Sequence, residues 1–148
     1  MLSTIVFCED KPASAPGRDL AEVLARTLAC LVPAKVEGLL CDVRIAGPAR
    51  KDLGVVANHA GCALIEAENE TDWLGLASQA ARGPDVFLLR CGRAPGAGFI
   101  EEAADFLAAN IKDRTDAPRE LLKADAETAP GSYPRPLGSL RAFTRRQD

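Results

Sequence analysis

Residues 86–110, VFLLRCGRAPGAGFIEEAADFLAAN, decide the fold. Val86 to Leu89 is the most apolar run of the chain, and a short apolar run bounded by turn signals fits a strand buried on both faces. Arg90 to Gly98 follows with three glycines and one proline, the composition of a tight loop. From Phe99 to Asn110, the residues Ile100, Ala103, Ala104, Phe106 and Leu107 recur at helical spacing, so the loop opens into an amphipathic helix. Strands alternating with helices of this length pack as parallel strands joined by right-handed crossovers.

The same alternation runs back to the amino terminus. Leu2 to Cys8 (LSTIVFC) reads as a first strand, and Glu9 to Gly17 reads as a loop. Asp19 is placed to cap a helix whose apolar face carries Leu20, Val23, Leu24, Leu28 and Leu31, with Pro33 just past its end. Leu39 to Ala46 reads as a second strand, broken by Gly47-Pro48. A helix over Ala49 to Ala60 turns Leu53, Val56, Ala57 and Ala60 inward, and Gly61 suits the left-handed residue that closes it. Cys62 to Ile65 is a short third strand. Thr71 or Asp72 is expected to cap a helix through Leu74, Ala77, Ala80 and Ala81. The order β-α-β-α-β-α-β-α predicts an α/β domain with a mostly parallel sheet and helices on both faces.

The composition changes after Lys112. Residues 113–148 hold four of the ten prolines, so residues 1–112 are read as the sheet domain and 113–148 as a Pro-rich, locally basic tail. Arg135, Arg141, Arg145 and Arg146 are its candidate partner-binding residues. Against that local cluster, the 148-residue chain carries a net charge of −3, which gives no broad basic field for nucleic acid. No run approaches the ~18 apolar residues of a membrane span. The first strand lacks a basic segment in front and meets Glu9 and Asp10 at once, unlike a signal peptide, so a cytoplasmic location is expected. The five cysteines form no CxxC pair. With His59 as the lone histidine, they read as reduced, buried thiols rather than metal ligands; no metal and no cofactor is expected.

Several phrases, in their shared order, resemble family 2 glycosyltransferases of the GT-A fold. TLACLVPAKVEGLL (Thr27 to Leu40) is similar to the family's first helix and its approach to strand two, where Asp42-Val43 follows. ANHAGCALI (Ala57 to Ile65) and AARGPDVFLL (Ala80 to Leu89) are similar to the segments leading into strands three and four, and Pro95 to Leu107 to the helix after them. The resemblance covers residues 3–110. It implies the Rossmann-like, nucleotide-sugar-binding half of a GT-A enzyme.

The departures from that pattern bear on function. The resemblance implies a base-binding Asp after strand two, where this chain has Ala46-Gly47-Pro48. It implies a pair of acids after strand four that hold a divalent ion on the sugar diphosphate, where this chain has Arg90-Cys91-Gly92-Arg93. Hard cations need oxygen ligands, and two guanidiniums there suit phosphate instead. The 36 residues after Lys112 are too few for the family's acceptor-binding half. The expectation is therefore a catalytically degenerate glycosyltransferase-like domain serving as a binding or scaffolding module, with a protein partner or a second copy of itself. The alternative is nucleotide-sugar binding without a metal, or completed by a partner chain, with Glu9, Arg90 and Arg93 as candidate nucleotide or phosphate ligands. Glu101 and Glu102 read as complements to a helix dipole, and Trp73 and Phe99 as packing residues rather than sugar platforms.

Overall fold

The computed structural model describes residues 1–10, 17–67, 69–112 and 142–145. Five strands and five helices follow in the order β1 (Leu2–Phe7), α1 (Leu20–Ala29), α2 (Val32–Val36), β2 (Leu40–Gly47), α3 (Lys51–His59), β3 (Ala63–Glu66), α4 (Glu70–Ala80), β4 (Asp85–Arg90), α5 (Phe99–Lys112) and β5 (Ala142–Arg145). They build one sheet in the order β3-β2-β1-β4-β5. The first four strands run parallel and β5 runs antiparallel to β4. The α/β architecture read from the sequence is the one observed.

Every residue of β1 is buried, as a central strand covered on both faces requires. Its side chains alternate between two cores. Leu2, Val6 and Cys8 join Ile45, Phe87, Leu89 and Cys91 beneath α1, α2, α3 and α5. Ile5 and Phe7 join Ala46 and Val86 beneath α4, which contributes Trp73 and Ala77. Helices thus lie on both faces, four against one. Trp73 donates its indole N–H to the Ala67 carbonyl, and the Phe99 ring lies 4.7 Å from that of Phe87, tilted by 38°. Both aromatics are packing residues.

Local chemistry explains the element ends. The Asp19 carboxylate accepts the Ala21 N–H at 3.2 Å and starts α1. Gly61, with φ of 67°, closes α3 in the left-handed conformation. Two expectations are corrected. Pro33 does not mark a stop but sits in the first turn of α2, where its missing N–H costs nothing. Asn69, not Thr71 or Asp72, caps α4, its Oδ1 accepting the Asp72 N–H at 2.9 Å. The division at residue 112 remains an expectation, since most of 113–148 lies outside the described residues. Within that stretch Ala142–Arg145 adds β5 to the sheet, a strand that the Pro-rich reading did not foresee.

At the amino end of the sheet a polar cluster joins three segments. Ser3 donates its hydroxyl to Asp42 on β2 and accepts the Gly83 N–H, from the turn before β4, at 2.7 Å. Arg44 Nε donates to the other Asp42 oxygen at 2.8 Å. Burial pushes the Asp42 carboxyl up, but the hydrogen bonds from Ser3 and Cys41 and the charge of Arg44 outweigh it and hold the group below the ordinary aspartate range. A lowered folded-state pKa adds stability that is fully present above the unfolded value and lost as pH falls through the folded one. Acid unfolding of Asp42→Asn should therefore show a smaller loss of stability than the parent as pH drops below ~4, measured by urea melts at stepped pH. An unchanged pH profile would remove Asp42 from the account.

Two glycines are fixed by close backbone approach. A Cβ at Gly83 would lie 2.8 Å from the Met1 carbonyl and 3.0 Å from the Ser3 nitrogen, and one at Gly47 would lie 2.9 Å from Cys8 Cβ. Gly54, in the middle of α3, would meet only Leu64 Cδ2 at 4.0 Å. Gly83→Ala and Gly47→Ala should each destabilise by ~1–3 kcal/mol, whereas Gly54→Ala should stabilise by ~0.5–1 kcal/mol. Urea midpoints of the three variants check the sign of each.

Candidate ligand-binding rim

The chain leaves β1 for β2 on one side and returns to β4 on the other. Strand order therefore reverses between β1 and β4, and the loops leaving their carboxyl ends part around a crevice, where open α/β sheets take ligands. Phe7 stands opposite Arg90 in the register, so the residues that follow each strand face one another. The Arg90 guanidinium reaches across and donates to Glu9. Arg93 follows in the loop, half-buried, its backbone N–H bonded to the Arg90 carbonyl at 3.0 Å. The structure thus brings Glu9 and Arg90 into contact and sets Arg93 one turn further along the same loop.

Of the basic residues assigned to the tail, Arg145 is described and lies away from this rim. Arg145 is the last residue of β5 and pairs with Asp85, at the opposite end of β4 from Arg90. Its backbone belongs to the sheet. Arg135, Arg141 and Arg146 lie outside the described residues.

Sequence reasoning missed Arg50, which stands at the start of α3 on the loop after β2. Its Nη1 donates to Asp10 at 3.1 Å, and its Nη2 and Nε hold Asp52 at 2.6 and 3.1 Å. An Arg-x-Asp step just past the Gly47-Pro48 break was a visible signal, because parallel topology carries every β-to-α loop to this same end. Also missed was Thr27, buried on α1. Its Oγ1 accepts the Gly92 N–H at 2.9 Å and donates to the Val23 carbonyl at 2.9 Å. Gly92 has φ of 87°, which a side chain resists, so Thr27 pins a left-handed turn beneath the rim. Glu101 and Glu102 lie in the first turn of α5, exposed, as the dipole reading expects.

The divalent ion implied by the resemblance does not fit these residues. The end of β4 offers two guanidiniums, a thiol and a glycine, and the nearest acid after β1, Glu9, is engaged by Arg90. Among the described residues no three His, Cys, Asp or Glu side chains gather to hold a metal ion. Nor is any described helix long and apolar enough to cross a membrane.

A groove of about 900 Å³ opens at the other end of the sheet, between α1, α2 and α3. Its lining includes Leu28, Val32, Val55 and Val56. It exists because β3 pairs with β2 only from Arg44 onward, leaving the edge at Cys41–Val43 uncovered by a strand. Lys35 tethers that edge, its Nζ donating to the Leu40 and Cys41 carbonyls at 3.0 and 2.9 Å.

No protein-family model matches the sequence, and no curated protein matches it. Solved structures do share its fold. Glucosyl-3-phosphoglycerate synthase from Mycobacterium tuberculosis, in complex with Mn²⁺, uridine diphosphate and phosphoglyceric acid, superposes with a TM-score of 0.51 at 13% identity over 74% of this chain. A second structure, described as a mycobacterial protein, superposes with a TM-score of 0.52 at 16% identity over 73% of this chain. The chain spans 38% and 37% of the length of these two proteins. The likeness is one of fold: this chain has a Rossmann-like α/β architecture of the GT-A kind.

Thr27→Val keeps the shape of the side chain but strands the Gly92 N–H in a buried place. It should cost ~1–3 kcal/mol, while Thr27→Ser, which keeps the oxygen, should lose less than half as much. Equal losses in the two variants, read by urea melts, would mean that the Thr27 hydroxyl does not hold the loop.

Proposed function

We propose that this chain is a catalytically degenerate, glycosyltransferase-like GT-A domain that works as a binding or scaffolding module in a protein complex. One observation carries the reading. Where a metal-dependent transferase needs free carboxylates, Arg90 occupies the end of β4 and is already bonded to Glu9 across the crevice. A leaving diphosphate gathers negative charge that a divalent ion normally neutralises, and the rim carboxylates that could seat one, Glu9, Asp10 and Asp52, are each held by an arginine. A fold can be kept by its packing after a site has been lost, and here Glu9 and Arg90, and Arg50 with Asp10 and Asp52, are paired among themselves. The partner is a second protein or another copy of this chain.

A second reading has its own support. Arg50, Arg90 and Arg93 stand on the loops of one rim, and guanidiniums hold phosphate oxygens well. In that reading the carboxylates of Glu9 and Asp10 occupy places that the phosphates of a nucleotide sugar would take, without metal.

Isothermal titration with UDP, GDP and their sugars, with and without Mn²⁺, separates the two. The module reading expects no heat of binding in any condition. Micromolar binding that needs no metal and disappears in Arg90→Ala/Arg93→Ala would replace it with the phosphate reading. Binding that requires Mn²⁺ would overturn both.

A further inference from the structure

Cys8 follows β1 and Cys91 follows β4, one step past the Phe7–Arg90 pair in the parallel register. The Cys91 N–H donates to the Phe7 carbonyl at 2.7 Å, extending the pairing to this step. Neighbouring strands lie ~4.8 Å apart, within the ~4.4–6.8 Å between Cα atoms that a disulfide spans. Both side chains enter the same core, under α1, α3 and α5, and both are buried. The two thiols are near enough that each shifts the other's ionisation. The other cysteines sit in different settings: Cys30 is exposed, Cys41 lies within 3.3 Å of both the Leu2 carbonyl and the Asp42 carboxylate, and Cys62 gives its S–H to the Ala60 carbonyl.

We propose that Cys8 and Cys91 are a redox-active dithiol, which a peroxide converts into a disulfide bridging β1 and β4 at the reversal of strand order. The two sulfurs are not equivalent. The Cys8 thiol beside it holds the Cys91 thiol below its ordinary value, against the opposing effect of burial. The Cys91 thiol in turn, with burial, pushes Cys8 up. In the proposed sequence the thiolate, the nucleophilic form, is that of Cys91, and Cys8 resolves the intermediate. The Cys91 thiolate attacks one peroxide oxygen, the O–O bond breaks, and hydroxide leaves and takes the proton that Cys91 gave up, forming water and a sulfenic acid. Cys8 then attacks the Cys91 sulfur, the S–O bond breaks, and the Cys8 proton leaves with the hydroxyl as a second water. Two thiols are oxidised and one peroxide is reduced. The bridge ties together the strand ends that carry Glu9 and Arg90, so it would set the spacing of the rim directly. Nothing in it depends on what the rim binds.

The test treats the full, folded chain with hydrogen peroxide, quenches with acid, unfolds it and alkylates every remaining thiol with N-ethylmaleimide. A non-reducing peptide map should show Cys8 joined to Cys91. Three of the five cysteines should stay open to alkylation, apart from any oxidation at exposed Cys30. Dithiothreitol should restore both thiols, and a Cys30→Ser chain should behave in the same way. If Cys8 and Cys91 both carry maleimide after peroxide, or if either is found joined to a different cysteine, the proposal is overturned. It is equally overturned if the bridge forms only when urea precedes the peroxide. In a Cys8→Ser chain that retains the parent's circular dichroism, dimedone should trap Cys91 as the sulfenic acid. The map of the unaltered chain decides the matter even if that variant does not fold.

Discussion

Strand β1 is hidden from water along its whole length, and the rest of the molecule is arranged to keep it so. Burying six consecutive residues on both faces requires a strand on each edge and a helical layer above and below. β2 and β4 supply the edges. α4 covers one face, while α1, α2, α3 and α5 cover the other. The buried Ser3 hydroxyl of this strand is matched to Asp42 and to the Gly83 N–H, whereas the neighbouring Thr4 hydroxyl is buried without a hydrogen-bond partner. The Ser3 match fixes the amino ends of β1, β2 and the approach to β4 relative to one another. At the carboxyl end the fixing is done by Thr27 and the turn at Gly92. Hydroxyls thus hold the amino end of the central strand and the loop beyond β4, and buried hydroxyl bonds are costly to break.

Much of this was legible in the sequence because apolar period and turn chemistry agreed. VFLL followed by a glycine loop and the Ile100–Leu107 stripe gave a strand and a helix, and both exist. Gly61 closes its helix as its chemistry predicts. The errors have physical causes. Pro33 serves equally as a stop after one helix or as the first turn of the next, and only the short connection to β2 decides between them. Asn69, Thr71 and Asp72 are all good caps, and the choice depends on which carbonyls and N–H groups the preceding strand leaves to hand. β5 was invisible because AFTR is too short to show a period and lies in a Pro- and Gly-rich stretch. Its pairing is decided by the exposed edge of β4, which is a tertiary fact.

The rim was half legible. Glu9, Arg90 and Arg93 were placed by the rule that parallel strands end at one side, and the Glu9–Arg90 contact follows from the β1–β4 register. Arg50 escaped notice because its partners, Asp10 and Asp52, lie 40 positions before it and two after it. Thr27 escaped because a hydroxyl inside an apolar helical stripe reads as a flaw in the stripe, whereas its use lies in a loop 65 positions away. Cys8 and Cys91 were read one at a time as small buried thiols, which each of them is. Their adjacency needs the strand order, which brings the ends of β1 and β4 side by side.

The antiparallel strand β5 has a consequence for handling the protein. It covers the outer edge of β4, which holds the apolar run Val86 to Leu89, with residues from beyond position 140. The opposite edge, β3, is four residues long and offers little to pair with. Bare, flat, apolar strand edges are templates for intermolecular pairing. The far end of the chain therefore acts as a hem on the sheet, and trimming the chain at the end of α5 would leave DVFLLR as an open seam for other molecules to join.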